Sequence, residues 1–389
     1  MVIGINGFEA VVPRFGYDDK GLPRRVGSSE FCFQLLKNLS VLDKKNEYVV
    51  YLPQEPTADM PKESSNWRYK VIPNKKLWTI FGLSKNLIKE KNLDLFFSPT
   101  HYAPLFSSCP QIISILDVSY KRFPEMFPKK DLLKLALWGK LSIESAKKII
   151  TISESSKNDI INAYKVSAGK VEVIPLGIKD VNASDMNKSE FIEKYNLKNP
   201  YVLFVGTLQP RKNIAKLVEA FAKLESRIKN QESRTKGLDL VIVGRKGWDY
   251  EKILSAPDKF GISERVKFLE NVTNEDLPLF YKNAEVFVLP SLYEGFGLPI
   301  LEAMQYDCPV VTSNISSLPE AGGDAAIYFD PNNAENIAEK IEKVISDPKL
   351  REEMVRKGRE QIKKFSWEKS ARKVIEIFEE TSKTVASSR

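Results

Sequence analysis

A single histidine, His101, and three cysteines, Cys32, Cys109 and Cys308, are all that the 389-residue chain offers to a soft metal. The cysteines stand far apart and form no C-x-x-C pair, so a zinc site built from Cys and His is effectively excluded. Long apolar runs are missing too. No stretch of roughly 18 or more apolar residues occurs, which leaves no candidate for a spanning helix. The N-terminus, MVIGINGFEAVV, lacks the charged leader and long apolar core of a secretory signal, and a cytoplasmic protein is expected. There is no internal repeat, no low-complexity tract, and no basic run interleaved with aromatics of the kind that marks nucleic-acid modules.

What is present points to two folded domains. With 42% hydrophobic residues the chain exceeds the length at which one core usually stops growing. The net charge of +8, from 59 Lys plus Arg against 51 Asp plus Glu, suits nucleic acid, phosphorylated metabolites or an anionic membrane, and by itself chooses none of them. In the second half, short β-branched runs recur: YVLFVG (201–206), LVIVG (240–244), VKFLE (266–270), AEVFVLP (284–290), PVVTS (309–313) and AAIYFD (325–330). Between them lie stretches such as 213–230 and 274–284, where apolar residues return every three or four positions. Strand alternating with helix predicts a parallel sheet covered on both faces, a Rossmann-like α/β domain.

The first half repeats the rhythm with strands at 2–6, 47–52, 94–99, 111–116, 147–153 and 170–175, and helices at 28–41, 76–91, 130–146 and 154–164. It reads as a second Rossmann-like domain. The polar stretch 177–195 has the composition of a linker, giving an N-terminal domain over 1–178 and a C-terminal domain over 198–364. The remaining 365–389 forms an amphipathic last helix, with Ser366 as cap, that returns to the first domain.

Residues 291–304, SLYEGFGLPILEAM, carry Glu294 and Glu302 around a turn with two glycines and a proline. A retaining glycosidase needs its carboxyl groups about 5 to 5.5 Å apart and an inverting one about 6.5 to 9.5 Å. Here Glu294 lies in the turn and Pro299 suits the start of a helix bearing Glu302. That arrangement separates the carboxylates by about 10 Å, too far for a direct acid and base pair. The distance fits the two ends of one ligand. Glu302 could hold ribose hydroxyls, the Gly295 and Gly297 amides a diphosphate, and Glu294 a hexose. A glycine turn with two solvated glutamates is the plainer alternative. Likewise Arg211 and Lys212 in FVGTLQPRKN (204–213), at the carboxyl end of a strand and just before a helix that Asn213 can start, either clamp a diphosphate or are a solvated pair.

These segments, with VIVGRKGW (241–248), PVVTSNISSLPEAGGDAAIYFDP (309–331) and ITISESSKNDI and KVEVIPLGI (150–160, 170–178), resemble the retaining GT-B glycosyltransferases of family 4. That group includes bacterial mannosyltransferases of surface-polysaccharide assembly. The likeness spans almost the whole chain and is strongest from 200 to 346; the E-x7-E element in its EGFGLP setting is its specific part. It implies two Rossmann-like domains facing a central cleft, the N-terminal one for the acceptor and the C-terminal one for the nucleotide-sugar donor. It implies that Arg211 and Lys212 bind the donor diphosphate, that Glu294 with the amides of Gly295, Phe296 and Gly297 binds the transferred sugar, and that Glu302 binds the ribose. Gly206 and Leu298 fall inside the same donor motifs. In the first domain Gly27, in RRVGSSEF, matches a glycine loop that approaches the donor phosphates, and Ser28 could cap the helix that follows. Many relatives have His-Asp where this chain has Leu116-Asp117. Asp117 therefore stays a candidate for sugar contact, while His101 reads as an ordinary loop histidine.

The expected activity is retaining transfer of a hexose, mannose first, from GDP-mannose or a UDP-sugar to a glycan or lipid-linked acceptor in polysaccharide biosynthesis. Neither metal nor cofactor is called for, since Arg211, Lys212 and helix-terminal amides can offset the leaving charge, and there is no Asp-x-Asp triplet. A nucleotide-sugar epimerase or a nucleotide-sugar binder without transfer activity stays open. A dinucleotide oxidoreductase is disfavoured because the first strand runs into GINGFE rather than G-x-G-x-x-G. Between 119 and 148, eight basic residues stand against three acidic ones around Leu132, Leu133, Leu137, Trp138 and Leu141. Such a helix is either an ordinary core helix with a basic outer face or a peripheral contact with the inner face of an anionic bilayer.

Overall fold

The computed structural model of the chain describes residues 1–14, 16–18, 20–73, 77–127, 129–179, 181, 183–229 and 237–386. Phe15 and Asp19 of the loop 14–25, Lys76 at the start of the helix expected over 76–91, Asp180 and Asn182 of the expected linker, and Asn230 lie outside the described residues. The chain divides into two compact units, Met1–Gly177 with the chain from Ser366 onward, and Ile178–Phe365.

The first unit is built on seven parallel strands: β1 (Val2–Asn6), β2 (Glu47–Leu52), β3 (Trp67–Val71), β4 (Leu95–Ser98), β5 (Gln111–Ser114), β6 (Lys148–Thr151) and β7 (Val171–Val173), in the order β3-β2-β1-β4-β5-β6-β7. Ile3 lies opposite both Tyr48 and Leu95. The central strands are buried along their length, as near-continuous apolar runs must be when helices cover both faces. Strand β3, WRYKV, was not among the expected strands. It sits at the sheet edge with Arg68 and Lys70 exposed beside buried Trp67, so charge breaks its apolar run.

The last helix, Trp367–Ala386, belongs to this unit. Ser366 Oγ accepts the Lys369 amide at 3.1 Å. Its face of Trp367, Ala371, Val374, Ile377 and Phe378 is buried; Phe378 meets Phe97 edge-on at 5.3 Å, and Trp367 meets Phe31 of helix Ser28–Leu42 at 6.2 Å. Ser370 donates to the Pro175 carbonyl.

The second unit has six parallel strands, β8 (Tyr201–Val205), β9 (Asp239–Val243), β10 (Val266–Leu269), β11 (Val286–Leu289), β12 (Val310–Ser313) and β13 (Ala326–Phe329), in the order β10-β9-β8-β11-β12-β13. It begins earlier than the composition suggested. Residues 178–197 are not a free linker, because helix Lys188–Tyr195 is closed by a capping box between Asn187 and Glu190. Its fully buried Phe191 packs on Phe280 at 4.8 Å, so one aromatic anchor outweighs a polar composition. In both units the first strand lies mid-sheet and the order reverses beside it, between β1 and β4 and between β8 and β11. The loops leaving those carboxyl ends part in opposite directions and leave a crevice, where open α/β sheets bind ligands.

Candidate active site

In the second unit the loops after β8 and β11 meet at that reversal. Asn213, in the left-handed region at φ +57°, uses its side-chain amide to donate to the Pro290 and Pro331 carbonyls at 3.1 and 2.8 Å. The Leu292 amide donates to the Arg211 carbonyl at 2.9 Å. So stitched, the loops bring together the three charged residues that the sequence placed far apart. Lys212 Nζ donates to Glu294 Oε1 at 2.5 Å, and Arg211 donates to Oε2 at 3.1 Å and to the Tyr293 carbonyl. Ser291 Oγ completes the set with a 2.6 Å bond to Oε1. Behind it, Ser316 and Ser317 hydroxyls donate to the Glu294 carbonyl at 2.6 and 2.8 Å.

Glu294 is only 8% exposed. Burial alone would raise its pKa, but the charges of Lys212 and Arg211 and the bonds from Lys212 and Ser291 override that and hold it at about 2. Two largely buried cations share this carboxylate. Cations ordered in this way are placed to meet a further anion at a reduced positioning cost.

Glu302 sits on helix Leu298–Gln305 and accepts from Tyr281 Oη at 2.9 Å, so the two glutamates take different partners. Pro299 lies in the first turn of that helix, and Gly297 just before it has φ +109°, which disfavours any side chain there. Gly295 and Phe296 are buried in the intervening loop, Phe296 against Phe365 at 5.4 Å, and Leu298 begins the helix. Gly206 follows β8; a Cβ added to Gly244 would fall 1.9 Å from the Gly206 carbonyl oxygen, so the loops after β8 and β9 run in close backbone contact.

The candidates of the first unit are arranged differently from expectation. Gly27 precedes helix Ser28–Leu42 at φ +56°, but Ser28 does not cap that helix; it is the first helical residue, and Ser29 Oγ instead takes the Val26 amide at 2.9 Å. A hydroxyl one residue further in cannot reach back to its own first-turn amides. Asp117 spends Oδ1 on the Ser119 amide and hydroxyl, at 2.9 and 2.6 Å, and so shapes a turn. His101 Nε2 donates to the Asp117 carbonyl at 3.1 Å, while Leu116 is buried. Sequence reasoning missed Ser291, Ser316, Ser317 and Tyr281, which fix the two glutamates. Ser291 and the serine pair lie inside quoted motifs, whereas nothing local distinguishes Tyr281.

Residues 185–361 match the family model described as glycosyl transferases group 1. The O-antigen chain mannosyltransferase B of Escherichia coli is 29% identical over 91% of this chain and 96% of its own length. The O-antigen chain mannosyltransferase RfbU of Salmonella typhimurium is 32% identical over 64% of each chain. Among solved structures, HepE of Anabaena, in complex with UDP and glucose, superposes with a TM-score of 0.71 at 19% identity, covering 98% of this chain and 100% of that one. That likeness speaks to the fold: two Rossmann-like α/β domains of the GT-B class. The match runs through the unit that holds the Arg211, Lys212 and Glu294 cluster, and there the chain is similar to the glycosyl transferases of group 1.

Proposed function

We propose that this glycosyltransferase is a retaining hexosyltransferase that moves mannose, ahead of other hexoses, from a nucleotide-diphosphate sugar to a glycan or lipid-linked glycan in polysaccharide assembly. The observation that carries the reading is the buried Arg211, Lys212 and Glu294 cluster at the strand-order reversal of the second unit. Its two cations suit a diphosphate, and Glu294 and Glu302 are acceptors suited to sugar and ribose hydroxyls. Mannose is favoured by the two O-antigen mannosyltransferases, and GDP-mannose is the first donor to try, with UDP-sugars next.

In such a transfer the acceptor hydroxyl approaches the anomeric carbon on the face from which the diphosphate departs, and the leaving phosphate oxygen takes its proton. Arg211 and Lys212 stabilise the charge that grows on the leaving group, so the reaction is expected to run without a metal ion or cofactor. The expected assay result is transfer from one nucleotide-sugar to an oligosaccharide acceptor, insensitive to a chelator, with the anomeric configuration kept. Epimerised nucleotide-sugar and no transfer would favour the epimerase reading, and tight binding without turnover would favour a sugar-nucleotide receptor.

A peripheral site on the cytoplasmic face of a membrane goes with this reading. Over 129–145 the exposed Leu133 (72%), Leu137 (51%) and Leu141 (37%) recur every fourth residue beside Lys129, Lys130, Lys134 and Lys140. Phe81 on the neighbouring helix, itself exposed, meets Trp138 at 5.7 Å, and exposed Phe106 is tied to the same helix through its amide and Ser84. A lysine-rimmed apolar patch of this kind fits an anionic bilayer. Among the described residues no helix is long and apolar enough to cross one.

A further inference from the structure

The stretch TSNISS (312–317) runs from the end of β12 into helix Leu318–Gly322 and spends four hydroxyls on the loop that leaves β11. Thr312 and Ser313 donate to the Leu289 carbonyl at 3.0 and 3.4 Å, which holds the root of that loop. Ser316 and Ser317 hold its far end at the Glu294 carbonyl. Ser316 does more, since its Oγ also accepts the Glu294 amide at 3.4 Å and so brackets the backbone of that residue. It reaches Glu294 from the left-handed region, at φ +56°. The other non-glycine residues found there in the second unit, among the described residues, are Asn196, Asn213, Asp249, Asn271 and Asp307, whose short polar side chains tolerate it. Serine is the exception. Strain of this kind persists only where the surroundings over-determine it, and it gathers where a geometry is needed for function.

We propose that Ser316 is a positioning residue for transfer: from its left-handed turn its hydroxyl, with that of Ser317, fixes the Glu294 backbone so that the carboxylate stays seated on Lys212 and Arg211 and aimed at the sugar. The proposal rests on the transferase reading in taking Glu294 as the sugar contact. Ser291 fixes Oε1 at 2.6 Å while the two serines fix the backbone from which the side chain springs, so the glutamate is held at both ends. A shift of about 1 Å at such a group is enough to cost on the order of 100-fold in rate. The two cations do not share this dependence. They are held through their own loop, by the Leu292 amide on the Arg211 carbonyl and by Asn213 on the Pro290 and Pro331 carbonyls.

The hydroxyl and the strain can be separated in the full chain. Ser316→Ala removes the hydroxyl and keeps a Cβ in the left-handed region, whereas Ser316→Gly removes both, so the glycine variant should melt above the alanine variant. Both should lose about 10- to 100-fold in kcat for transfer from GDP-mannose or UDP-glucose, whichever the wild type uses, with GDP or UDP affinity by calorimetry close to wild type. A glycine variant that transfers at the wild-type rate would show that Ser316 only shapes a turn, and overturns the proposal. A second readout needs no transfer. With carbon-13 in the glutamate carboxyls, the Glu294 resonance, assigned by its loss in Glu294→Gln, should stay unmoved from about pH 7 to about pH 4 in the wild type, whose carboxyl is held at about 2. In a Ser316→Ala, Ser317→Ala double variant it should begin to titrate within that window, because burial raises the pKa of a carboxyl that loosens from its cations. An unmoved resonance in the double variant also overturns the proposal. A wild type that transfers from no nucleotide-sugar sinks the transferase reading instead, and the titration still decides what Ser316 does.

Discussion

Glu294 is charged at neutral pH because its two cations outweigh its burial, and that dependence runs both ways. Without the carboxylate, Arg211 and Lys212 would stand buried and uncompensated. Glu294→Gln should therefore keep or tighten nucleoside-diphosphate binding, since the anion replaces the lost counter-charge. Transfer should fall by about tenfold or more through loss of a charge-assisted sugar contact. Calorimetric titration beside initial rates checks this; lost diphosphate binding with intact transfer would be the opposite of the expected pattern. The same residue sets an acid limit. Its folded pKa of about 2 lies below the ordinary 4.5, so its stabilisation is full above pH about 4.5 and drains away as pH falls toward about 2. The shift corresponds to on the order of 3 kcal/mol. Urea unfolding between those pH values should show wild type losing stability more steeply than Glu294→Gln, and parallel slopes would deny the linkage. The Arg211, Lys212 and Glu294 positions were legible in the sequence as motif members, but their direct pairing was not, because it depends on loops some eighty residues apart closing on each other.

At the scale of elements, periodicity located most strands and helices to within a residue or two, because central parallel strands must be apolar throughout and covering helices apolar on one side. It missed β3 and helix Lys188–Tyr195, where charge or polarity dilutes the pattern and a single aromatic anchor, Trp67 or Phe191, does the burying. The last helix shows what a local pattern leaves open: its apolar face and its return to the first domain are read from the sequence, and the individual residues it meets there are not. Trp367 packs against Phe31, and the chain at Gly177 runs so close that a Cβ there would fall 2.3 Å from the indole. Trp367→Ala should cost about 3 to 5 kcal/mol in denaturant unfolding. Hydrogen exchange should then quicken in helix Ser28–Leu42 and leave β8 to β13 protected; exchange that quickens equally in both units would contradict this placement.

Among the described residues, Phe81, Phe106, Leu133 and Leu137 are all exposed in one neighbourhood of the first unit. Surface of this kind on a basic background predicts adsorption to anionic lipid through both burial and charge. Co-sedimentation with phosphatidylglycerol vesicles should exceed that with phosphatidylcholine, weaken as salt rises, and drop in a Leu133→Ser, Leu137→Ser double variant whose exposed positions leave the fold intact. Equal sedimentation with neutral vesicles, or a double variant that binds as wild type, would remove the membrane from the picture.

Alternation of apolar runs with amphipathic stretches determined, without any coordinates, that the chain forms two parallel α/β units, because backbone hydrogen bonding and burial on both sheet faces are satisfied locally by that pattern. The motifs around Lys212 and Glu294 likewise marked a candidate ligand site, because glycine turns and charges at the carboxyl ends of strands lie where open α/β sheets bind ligands. Only the tertiary structure decided which charges neutralise which, and that Asp117 shapes a turn rather than standing open. Those outcomes depend on which loops the strand order makes neighbours. Strand order is a property of how helices cross the sheet, and short-range periodicity carries no record of it.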